Sequence, residues 1–462
     1  MLIELDREGG EPIRLQIYRQ IKNQILSGEL REQEPLPSTR QLADSLGVSR
    51  STTVEAYDML LSEGFLISRQ GAPTLVAEGL VIARENSVLP SIHETEPKSY
   101  LADFQTGRPD LHQFPRALWQ KLLSQTAATL TPEQYGYTGP QGYLPLREEI
   151  AAWLGRNRGF LPNPEDIFIT AGATHALRIL TDVLCSNGGS ILIEDPCHIG
   201  LYDTLKTCEC AIRPIPADDH GMQTDCLPEH TDARAVYITP SHQFPLGGIL
   251  PAQRRAALLR YAKEQELYII EDDYDSEFRF AGAPVAPLYA MDSTRVIYVG
   301  TFSKTVFPAL RIGFAVLPGE LQAPWRNIRT HHDVQNPLFE QAALAEFLKT
   351  RKLDRHIRVM KHKYEKRRQA LLDALKEEIG DVSNACGDAA GLHVTVRFTG
   401  AQFGEAFLTR CKQAGIRVAT LEKHSIEKGR NEDALVLGYG HMEPETIREA
   451  VRLLSIEIRQ SM

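Results

Sequence analysis

The stretch Gly300-Thr301-Phe302-Ser303-Lys304 follows the apolar run 296–299 and decides the fold of most of this chain. That run, Val-Ile-Tyr-Val, has the β-branched and aromatic composition of a buried strand. In α/β sheets, ligands bind beyond the carboxyl ends of the strands, where Lys304 is then expected. Arg311 follows Lys304 by seven residues, and Asp272 precedes it by 32 residues. An amine, two hydroxyls, a guanidinium and a carboxylate are therefore predicted to share one site.

These residue types together suit pyridoxal 5′-phosphate (PLP). A lysine amine condenses with an aldehyde where its pKa is depressed. Thr301, Ser303 and Arg311 are suited to a phosphate dianion. Ala173 and Thr174 follow Gly172 at the start of a helical pattern, so their backbone N–H groups are predicted to bind the same phosphate. An ordinary helix cap is the alternative for that segment.

The acidic run 271–275 is predicted to contact the ring of the cofactor. Asp272 closes the apolar strand pattern 267–270, where a carboxylate can pair with the pyridine nitrogen. Tyr274 is predicted to donate to the phenolic oxygen. A solvated acidic loop is the alternative, because four of these five residues are acids; the spacing to Lys304 favours the cofactor site.

Apolar β-type runs alternate with helical patterns from about residue 104 onward. The predicted strands are 167–170, 191–193, 235–238, 268–270, 296–299 and 313–316. Such alternation indicates a large, mostly parallel sheet covered by helices on both faces. The last 80 residues return to mixed α and β, which predicts a smaller C-terminal α/β subdomain.

The first 78 residues have a different pattern, that of a winged helix-turn-helix. Isoleucines at 13, 17, 21 and 25 form one stripe of an amphipathic helix. Ser38 and Gln41 have the spacing of a capping box before a short second helix, and Gly47 marks the turn to a third helix that starts near Ser49. Residues 65–68 and 74–76 flank a turn and predict the wing.

This module predicts binding to double-stranded DNA. Arg50 stands at the start of the third helix, where it can contact guanine in the major groove. The other predicted contacts are phosphate or minor-groove contacts by Arg40, Ser49, Ser51, Thr52, Gln70 and Gly71. The alternative is a protein-interaction module whose Ser and Thr residues only cap a helix.

Charge and composition narrow the class of protein further. Residues 1–80 hold 8 Arg or Lys against 12 Asp or Glu, a net charge of −4, and the whole chain has −9. DNA binding must therefore depend on a few placed cations. The seven cysteines, which include a lone C-x-C at 208–210, are expected to be reduced thiols and no metal site is predicted. An acidic N-terminus and no long apolar run predict a cytoplasmic protein that does not enter a membrane.

At this point the residues resemble a known family. Segments 271–278 and 300–313 resemble the fold-type-I aminotransferases. The segment 240–247 (PSHQFPLG) and the N-terminal module resemble the MocR-type subfamily of GntR transcriptional regulators, over almost the whole chain. The implied organisation is a DNA-binding domain at 1–78, a linker at 79–101 and a PLP-binding effector and dimerisation domain at 102–462.

The resemblance also implies the roles of individual residues. Lys304 would form the internal aldimine, and Tyr137 would reach the phosphate of the neighbouring subunit in a domain-swapped homodimer; a core or surface tyrosine is the alternative. The implied cofactor-binding set is Lys304, Asp272, Tyr274, Ala173, Thr174, Thr301, Ser303, Arg311, Tyr137 and His198.

Three positions depart from the aminotransferase pattern. His198 stands where an aromatic ring often stacks on the cofactor, and Phe244 stands where an asparagine usually binds the ring hydroxyl. Glu432 stands where an arginine would hold a substrate carboxylate, with Arg430 two residues away. Efficient transamination is therefore in doubt, and so is the group that would hold an effector carboxylate.

The sequence thus predicts a PLP-dependent regulator that senses an amine, an amino acid or PLP through the aldimine at Lys304. In this interpretation the aminotransferase-like domain is a sensor that retains at most half-transamination. An active aminotransferase with an accessory N-terminal domain is the first alternative. A DNA-binding protein whose C-terminal domain has lost PLP is the second.

Overall fold

The computed structural model describes residues 1–7, 9–69, 71–80, 100–208, 210–387 and 389–462. The chain divides into two compact units, Met1–Glu96 and Pro97–Met462. Most of the predicted linker, residues 81–99, lies outside the described residues. None of the described helices is long and apolar enough to cross a membrane.

The N-terminal unit has the order helix, helix, helix, hairpin that the sequence predicts. Its elements are α1 (Ile13–Leu26), α2 (Thr39–Leu46), α3 (Arg50–Ser62), β1 (Leu66–Ile67) and β2 (Leu75–Val76). β1 and β2 pair antiparallel, and each is shorter than its predicted run. Gln70, predicted to stand at the wing tip, lies outside the described residues.

The core of this unit follows from the spacing of its apolar residues. Ile17, Ile21 and Ile25 are buried along one face of α1, as the period of four predicts. The capping box of Ser38 and Gln41 begins α2. Gly47 ends α2 in the left-handed conformation at φ 62°, which glycine adopts without steric cost.

The C-terminal unit is built on an eight-stranded sheet. Its strands in chain order are β4 (Ile167–Thr170), β5 (Ser190–Asp195), β6 (Ala211–Asp218), β7 (Gly221–Met222), β8 (Ala233–Ile238), β9 (Tyr268–Asp273), β10 (Val296–Thr301) and β11 (Gly313–Val316). The spatial order is β4-β11-β10-β9-β8-β5-β6-β7. Five neighbouring strands from β10 to β6 run parallel, whereas β11 is antiparallel to both of its neighbours. The predicted mostly parallel sheet is therefore confirmed.

Both faces of this sheet are buried, which explains why its strands lack an alternating pattern. Ile167 and Ile169 enter the apolar core on one face, and Phe168 between them enters the core on the other. The helices of the unit are α4 (Arg116–Thr129), α5 (Leu144–Arg158), α6 (Ala173–Leu184), α7 (Ile199–Lys206), α8 (Ala252–Glu264), α9 (Gly319–His332), α10 (Leu338–Lys349), α11 (Lys352–Glu378), α12 (Glu405–Gln413) and α13 (Pro444–Arg459).

A smaller α/β part contains two further sheets and has its own core. A short strand β3 (Ala102–Asp103) pairs in parallel with β14 (Ile416–Arg417). The other strands are β12 (Ser383–Cys386), β13 (His393–Phe398), β15 (Ala419–Thr420) and β16 (Ala434–Gly438), in the order β12-β13-β16-β15. Buried Phe398, Leu435 and Leu437 belong to its core together with residues of α11 and α13. This is the smaller subdomain that the sequence predicts.

Candidate cofactor and nucleic-acid sites

A cavity of about 250 Å³ opens at the carboxyl ends of β9 and β10, beside the first turn of α6. Nine of the ten predicted cofactor residues line it; Tyr137 does not. The nine are Ala173, Thr174, His198, Asp272, Tyr274, Thr301, Ser303, Lys304 and Arg311. Four separate sequence segments therefore converge on one space, at the edge of the sheet where ligands of α/β proteins bind.

Lys304 lines this cavity, and the pKa of its amine is lowered. Burial lowers the pKa of its amine, and the negative charges of Asp275 and Asp272 oppose that shift. The Nζ atom donates to the carbonyl oxygen of Gly107 at 2.7 Å. A lysine in this setting is more available as a nucleophile than one in water.

Asp272 presents one oxygen that lacks a protein partner. Its Oδ2 accepts a hydrogen bond from the Tyr237 hydroxyl at 2.7 Å, whereas the buried Oδ1 has no partner among the described residues. Burial raises the pKa of this carboxyl to about 7. A buried, unpartnered acceptor costs free energy, which a cationic donor at Oδ1 would remove.

The part of the cavity wall formed by the start of α6 and Arg311 is suited to an anion. Gly172 precedes α6 at φ 90° and no side chain caps this helix, so the N–H groups of Ala173 and Thr174 begin it uncapped. A Cβ on Gly172 would lie 2.9 Å from an Arg311 nitrogen, so only glycine leaves this space for the guanidinium.

The hydroxyls on β10 and the turn after it complete this part of the cavity wall. Thr301 Oγ1 and Ser303 Oγ lie 3.0 Å apart, and Arg311 Nη2 donates to the carbonyl oxygen of Ala171 at 2.6 Å. These residues fit PLP, because one cavity wall provides donors for a phosphate, an Asp272 oxygen without a described partner and the Lys304 amine. Arg311, Thr301, Ser303 and α6 would hold its phosphate, and Asp272 its ring nitrogen.

Tyr274 lines the cavity, but its hydroxyl contacts a residue that the sequence did not single out. The Tyr274 oxygen lies 2.9 Å from Nδ1 of His242, and the two rings stack with centroids 5.8 Å apart. His242 in turn contacts Asp275. The predicted bond from Tyr274 to the phenolic oxygen of PLP stays a prediction.

His198 begins α7, where its Nδ1 accepts from the backbone N–H of Leu201 at 3.2 Å. Burial and the nearby positive charge of Lys304 lower the pKa of this imidazole to about 4. The ring is therefore neutral near pH 7. The centroid of its ring lies 5.1 Å from that of Phe244. Two of the three departures from the aminotransferase pattern, His198 and Phe244, therefore form one aromatic wall of the cavity.

Three positions that the sequence pattern singled out do not line the cavity. Tyr137 is 88% exposed, so within its own chain it is neither a core tyrosine nor a cavity residue. Arg430 pairs with Glu427 at 2.7 Å and Glu432 is exposed, and neither lines the cavity. Around this cavity the lysine and arginine residues that the structure describes are Lys304 and Arg311, both of which belong to the predicted PLP-binding set.

Sequence reasoning missed several residues of the cavity. Tyr237 lies on β8, next to β9, and reaches Asp272 only because the two strands are neighbours in the sheet. Gly107 and His393 are both far from Lys304 in the sequence, one before it and one after it. Glu194 accepts from the backbone N–H of Thr239 at 3.0 Å. Burial raises the pKa of its carboxyl to about 7. No local pattern distinguishes these residues.

One cluster of described residues could hold a metal ion, although the sequence predicted none. Ligand atoms of His242, Asp275 and His393 lie within 4.8 Å of one another, and all three residues are buried. Nδ1 of His242 and Nε2 of His393 are already engaged in hydrogen bonds, with Asp275 and with the Pro245 carbonyl oxygen.

Five of the seven predicted DNA-binding residues lie at the start of α2 or α3. Arg40, Ser49, Arg50 and Ser51 are exposed, and Thr52 is partly exposed. Ser49 begins α3, and its hydroxyl lies within 2.8 Å of those of Ser51 and Thr52. Gly71 is exposed in the wing, with φ 80°. A row of hydroxyls beside two exposed guanidinium groups can meet a phosphate backbone and a groove.

Comparison with known proteins identifies both units. Residues 102–451 match the family Aminotransferase class I and II, and residues 13–76 match the bacterial regulatory proteins of the gntR family. A curated relative, the probable rhizopine catabolism regulatory protein MocR of Rhizobium meliloti, is 33% identical over 473 aligned residues, which cover 98% of this chain and 95% of the relative.

Two other proteins illustrate the range of the likeness. The HTH-type pyridoxine biosynthesis transcriptional regulator PdxR of Corynebacterium glutamicum is 31% identical, with 94% of this chain and 93% of PdxR aligned. The solved structure of the multiple substrate aminotransferase of Thermococcus profundus superposes with a TM-score of 0.73 at 26% identity, covering 79% of this chain and 93% of that one. The two regulators align with nearly the whole chain, whereas the enzyme aligns with 79% of it.

Proposed function

Because this chain belongs to the MocR-type subfamily of GntR regulators, we propose that it binds PLP at Lys304 and changes its binding to DNA when an amine enters the cavity. A gntR-family domain implies DNA binding, and class I and II aminotransferase domains depend on PLP in general. The observation that carries the proposal is the convergence of nine predicted residues on the one cavity that contains the Lys304 amine.

The chemistry that PLP supplies, when bound, is an aldehyde carbon that primary amines attack. Lys304 Nζ would hold that carbon, and a primary amine that enters the cavity would compete with Lys304 for it. A displaced Lys304 amine would be free to donate to the Gly107 carbonyl oxygen, as it does at 2.7 Å in this structure. The entry of an amine would therefore change both the charge and the contacts of Lys304.

The lining of the cavity supports sensing of an amine rather than repeated transamination. Transamination of amino acids needs a group that holds the substrate carboxylate, and Arg430 is exposed and paired with Glu427. Lys304 and Arg311 are the cations of the described cavity wall, and PLP requires both. Half-transamination without sustained turnover is compatible with this arrangement.

A homodimer with shared sites completes the proposal. Aminotransferase-like domains are typically dimeric, and the 88% exposed Tyr137 is free to contact a second chain. We propose that Tyr137 reaches the phosphate in the partner's cavity, and that the exchanged DNA-binding units make the dimer domain-swapped.

The test measures DNA binding and the cofactor in the same preparation. The PLP-loaded protein is titrated with primary amines, amino acids and PLP while its visible absorbance is recorded. Its affinity for the DNA segment upstream of its own gene is then measured with and without each amine. We expect at least one amine to change both signals. Lys304→Ala should abolish both responses, whereas Lys361→Ala, at an exposed position of α11, should change neither.

Two results would contradict the proposal. Many turnovers with an amino acid and a 2-oxo acid, together with no sequence-specific DNA binding, would support the aminotransferase alternative. A regulator whose DNA binding is unchanged in Lys304→Ala, and which shows no absorbance from PLP, would support loss of the cofactor.

Arg50 tests the DNA-binding part separately. A bidentate contact to guanine is worth roughly 1–3 kcal/mol of discrimination. Arg50→Ala is therefore expected to weaken specific binding by about tenfold or more while leaving the PLP absorbance unchanged. Arg50→Lys is the matched control, because it keeps the charge and loses the planar, bidentate donor. Full specific affinity in Arg50→Lys would show that only charge is needed there.

A further inference from the structure

The side chains of Tyr274, His242 and Asp275 form one hydrogen-bonded chain, and Tyr274 and Asp275 line the cavity. The carboxylate of Asp275 lies 3.0 and 3.1 Å from Nδ1 of His242, and the Tyr274 hydroxyl lies 2.9 Å from the same nitrogen. His242 and Asp275 are 1% and 2% exposed. Nε2 of His242 is buried and has no partner among the described residues. The polar contacts of this imidazole are therefore concentrated on Nδ1.

The positions of the protons follow from what each group can donate. An ionised carboxylate only accepts, so Nδ1 of His242 carries a hydrogen and directs it to Asp275. A protonated Nδ1 has no lone pair with which to accept the Tyr274 hydrogen. The Tyr274 oxygen can share the Nδ1 hydrogen as an acceptor, but its own hydrogen must point elsewhere. Since Tyr274 lines the cavity, the cavity is the direction left for that hydrogen.

We propose that His242 and Asp275 are positioning residues, which turn the hydroxyl hydrogen of Tyr274 into the cavity toward the phenolic oxygen of PLP. This inference rests on the proposed binding of PLP.

The surroundings hold His242 in place. Gly391, at φ 81°, packs so closely that a Cβ there would overlap Cε1 of His242 and lie 2.6 Å from Oδ2 of Asp275. His393 of β13 faces His242 with ring centroids 5.0 Å apart. Its Nε2 lies 3.0 Å from the Pro245 carbonyl oxygen, so the ring of His393 is itself fixed beside that of His242.

The test is the pH dependence of the visible absorbance of the PLP-loaded protein. A donor on the phenolic oxygen competes for the proton shared between that oxygen and the Lys304 nitrogen, so this proton leaves at lower pH. Tyr274→Phe should therefore raise the apparent pKa of the absorbance change by about one pH unit. His242→Phe, which keeps a ring and loses Nδ1, should raise it in the same direction. His242→Asn should restore most of the wild-type value, because its amide nitrogen can stand near the position of Nδ1.

A double variant distinguishes positioning from a general effect on the fold. Adding His242→Phe to Tyr274→Phe should cause no further shift of the apparent pKa, because the loss of His242 acts only through the Tyr274 hydroxyl. His242→Leu, which also removes Nδ1 and keeps the charge of Asp275 near Lys304, is the second route to the same result if His242→Phe does not fold. An unchanged pKa in folded His242→Phe or His242→Leu, or shifts that add in the double variant, would overturn the inference.

Two further outcomes have distinct meanings. If chelator treatment gives the wild-type protein the pKa of His242→Phe, a metal ion at His242, Asp275 and His393 controls Tyr274, and the positioning role is overturned. If the wild-type protein shows no visible absorbance with PLP, the proposed function itself fails.

Discussion

At the scale of single residues, the site depends on burial more than on residue type. Lysines are common, but the pKa of Lys304 is lowered because its amine is buried beside a cavity. The same burial raises the pKa of Asp272 to about 7. Two groups of opposite charge type are thus both shifted toward their neutral forms, which is a common feature of functional sites.

Gly172 provides a prediction about the phosphate end. Gly172→Ala would place a methyl group 2.9 Å from an Arg311 nitrogen and would strain the backbone at φ 90°. We expect PLP affinity to fall by roughly tenfold or more, the equivalent of one lost charged hydrogen bond. Equilibrium titration with PLP, followed by absorbance, measures the loss.

Gly188 provides the matched control for Gly172. It also has a positive φ, 79°, but a Cβ there would meet no atom within 4 Å. Gly188→Ala should therefore lower the melting temperature through backbone strain and leave PLP affinity unchanged. Equal losses of PLP affinity in both variants would show that strain, rather than the space beside Arg311, is responsible.

Asp272 leads to a prediction about pH. Its folded-state pKa, about 7, exceeds the ordinary value of 3.8, so the folded protein without PLP binds this proton more tightly than the unfolded chain. Stability from this group is therefore present below about pH 4 and is lost as the pH rises toward about 7. Asp272→Asn cannot ionise. Between pH 4.5 and 7.5 the melting temperature of the PLP-free variant should consequently fall less than that of the wild type.

The same variant also separates two roles of Asp272. The amide oxygen of the Asp272→Asn side chain would still accept from Tyr237, but a neutral amide would not pair with a protonated ring nitrogen. PLP should then stabilise Asp272→Asn less than the wild type at pH 7.5. Identical pH profiles for the two proteins would show that Asp272 does not titrate in this window.

At the scale of elements, the N-terminal unit depends on the angle between α2 and α3. The buried hydroxyl of Thr53 on α3 donates to the carbonyl oxygen of Thr39 on α2, at 2.8 Å, and lies 3.0 Å from that of Arg50. This link fixes the start of the predicted recognition helix relative to the helix before it. The sequence shows both helices but not the contact between them.

Thr53→Val tests that link, because valine has nearly the same shape without the hydroxyl. The carbonyl oxygen of Thr39 would lose its buried partner, at a cost of about 1–3 kcal/mol. We expect faster hydrogen exchange across residues 13–76 and weaker DNA binding, with PLP absorbance unchanged. Ser62→Ala, near the end of α3 and exposed, is the control and should leave both measurements near the wild type. Wild-type exchange in Thr53→Val would show that the link is dispensable.

At the scale of the whole molecule, sensing requires that the amine and the DNA affect each other equally. If an amine changes DNA affinity by a given factor, DNA must change amine affinity by the same factor, typically about 5–150-fold. Amine titrations of the PLP-loaded protein, with and without its DNA segment, measure the second factor. Arg50→Ala should remove the effect of DNA at the same concentrations. Unequal factors would exclude a simple two-site linkage.

Tyr137 provides the prediction about the dimer. Tyr137→Phe should weaken PLP binding by roughly tenfold if its hydroxyl reaches the partner's phosphate. Tyr135→Phe, at a 55% exposed neighbouring position, is the matched control. Mixed dimers of Lys304→Ala chains with Tyr137→Phe chains should contain one intact cavity and thus recover wild-type affinity in half of their sites. Failure to recover it would place Tyr137 in its own chain's site, and no loss of affinity in Tyr137→Phe itself would place Tyr137 in neither site.

Local patterns predicted much of this architecture. The period of four in α1, the capping box at Ser38 and the strand β11 all appear where the sequence indicates them. The sequence missed strand β6, because its residues are mostly at intermediate exposure and carry prolines at 214 and 216. The wing strands were predicted too long, because only two residues of each form ladder pairs.

The sequence by itself determined which residues could bind PLP and DNA, because Lys304, Asp272, Arg311 and Arg50 stand at the ends of strongly patterned strands and helices. Only the tertiary structure decided what surrounds them. Tyr237 meets Asp272, and His242 meets Tyr274, across strands and loops that are more than thirty residues apart in the chain. Such contacts depend on sheet order and close packing, and local periodicity carries no information about either. The burial that shifts the pKa of Lys304 arises in the same way.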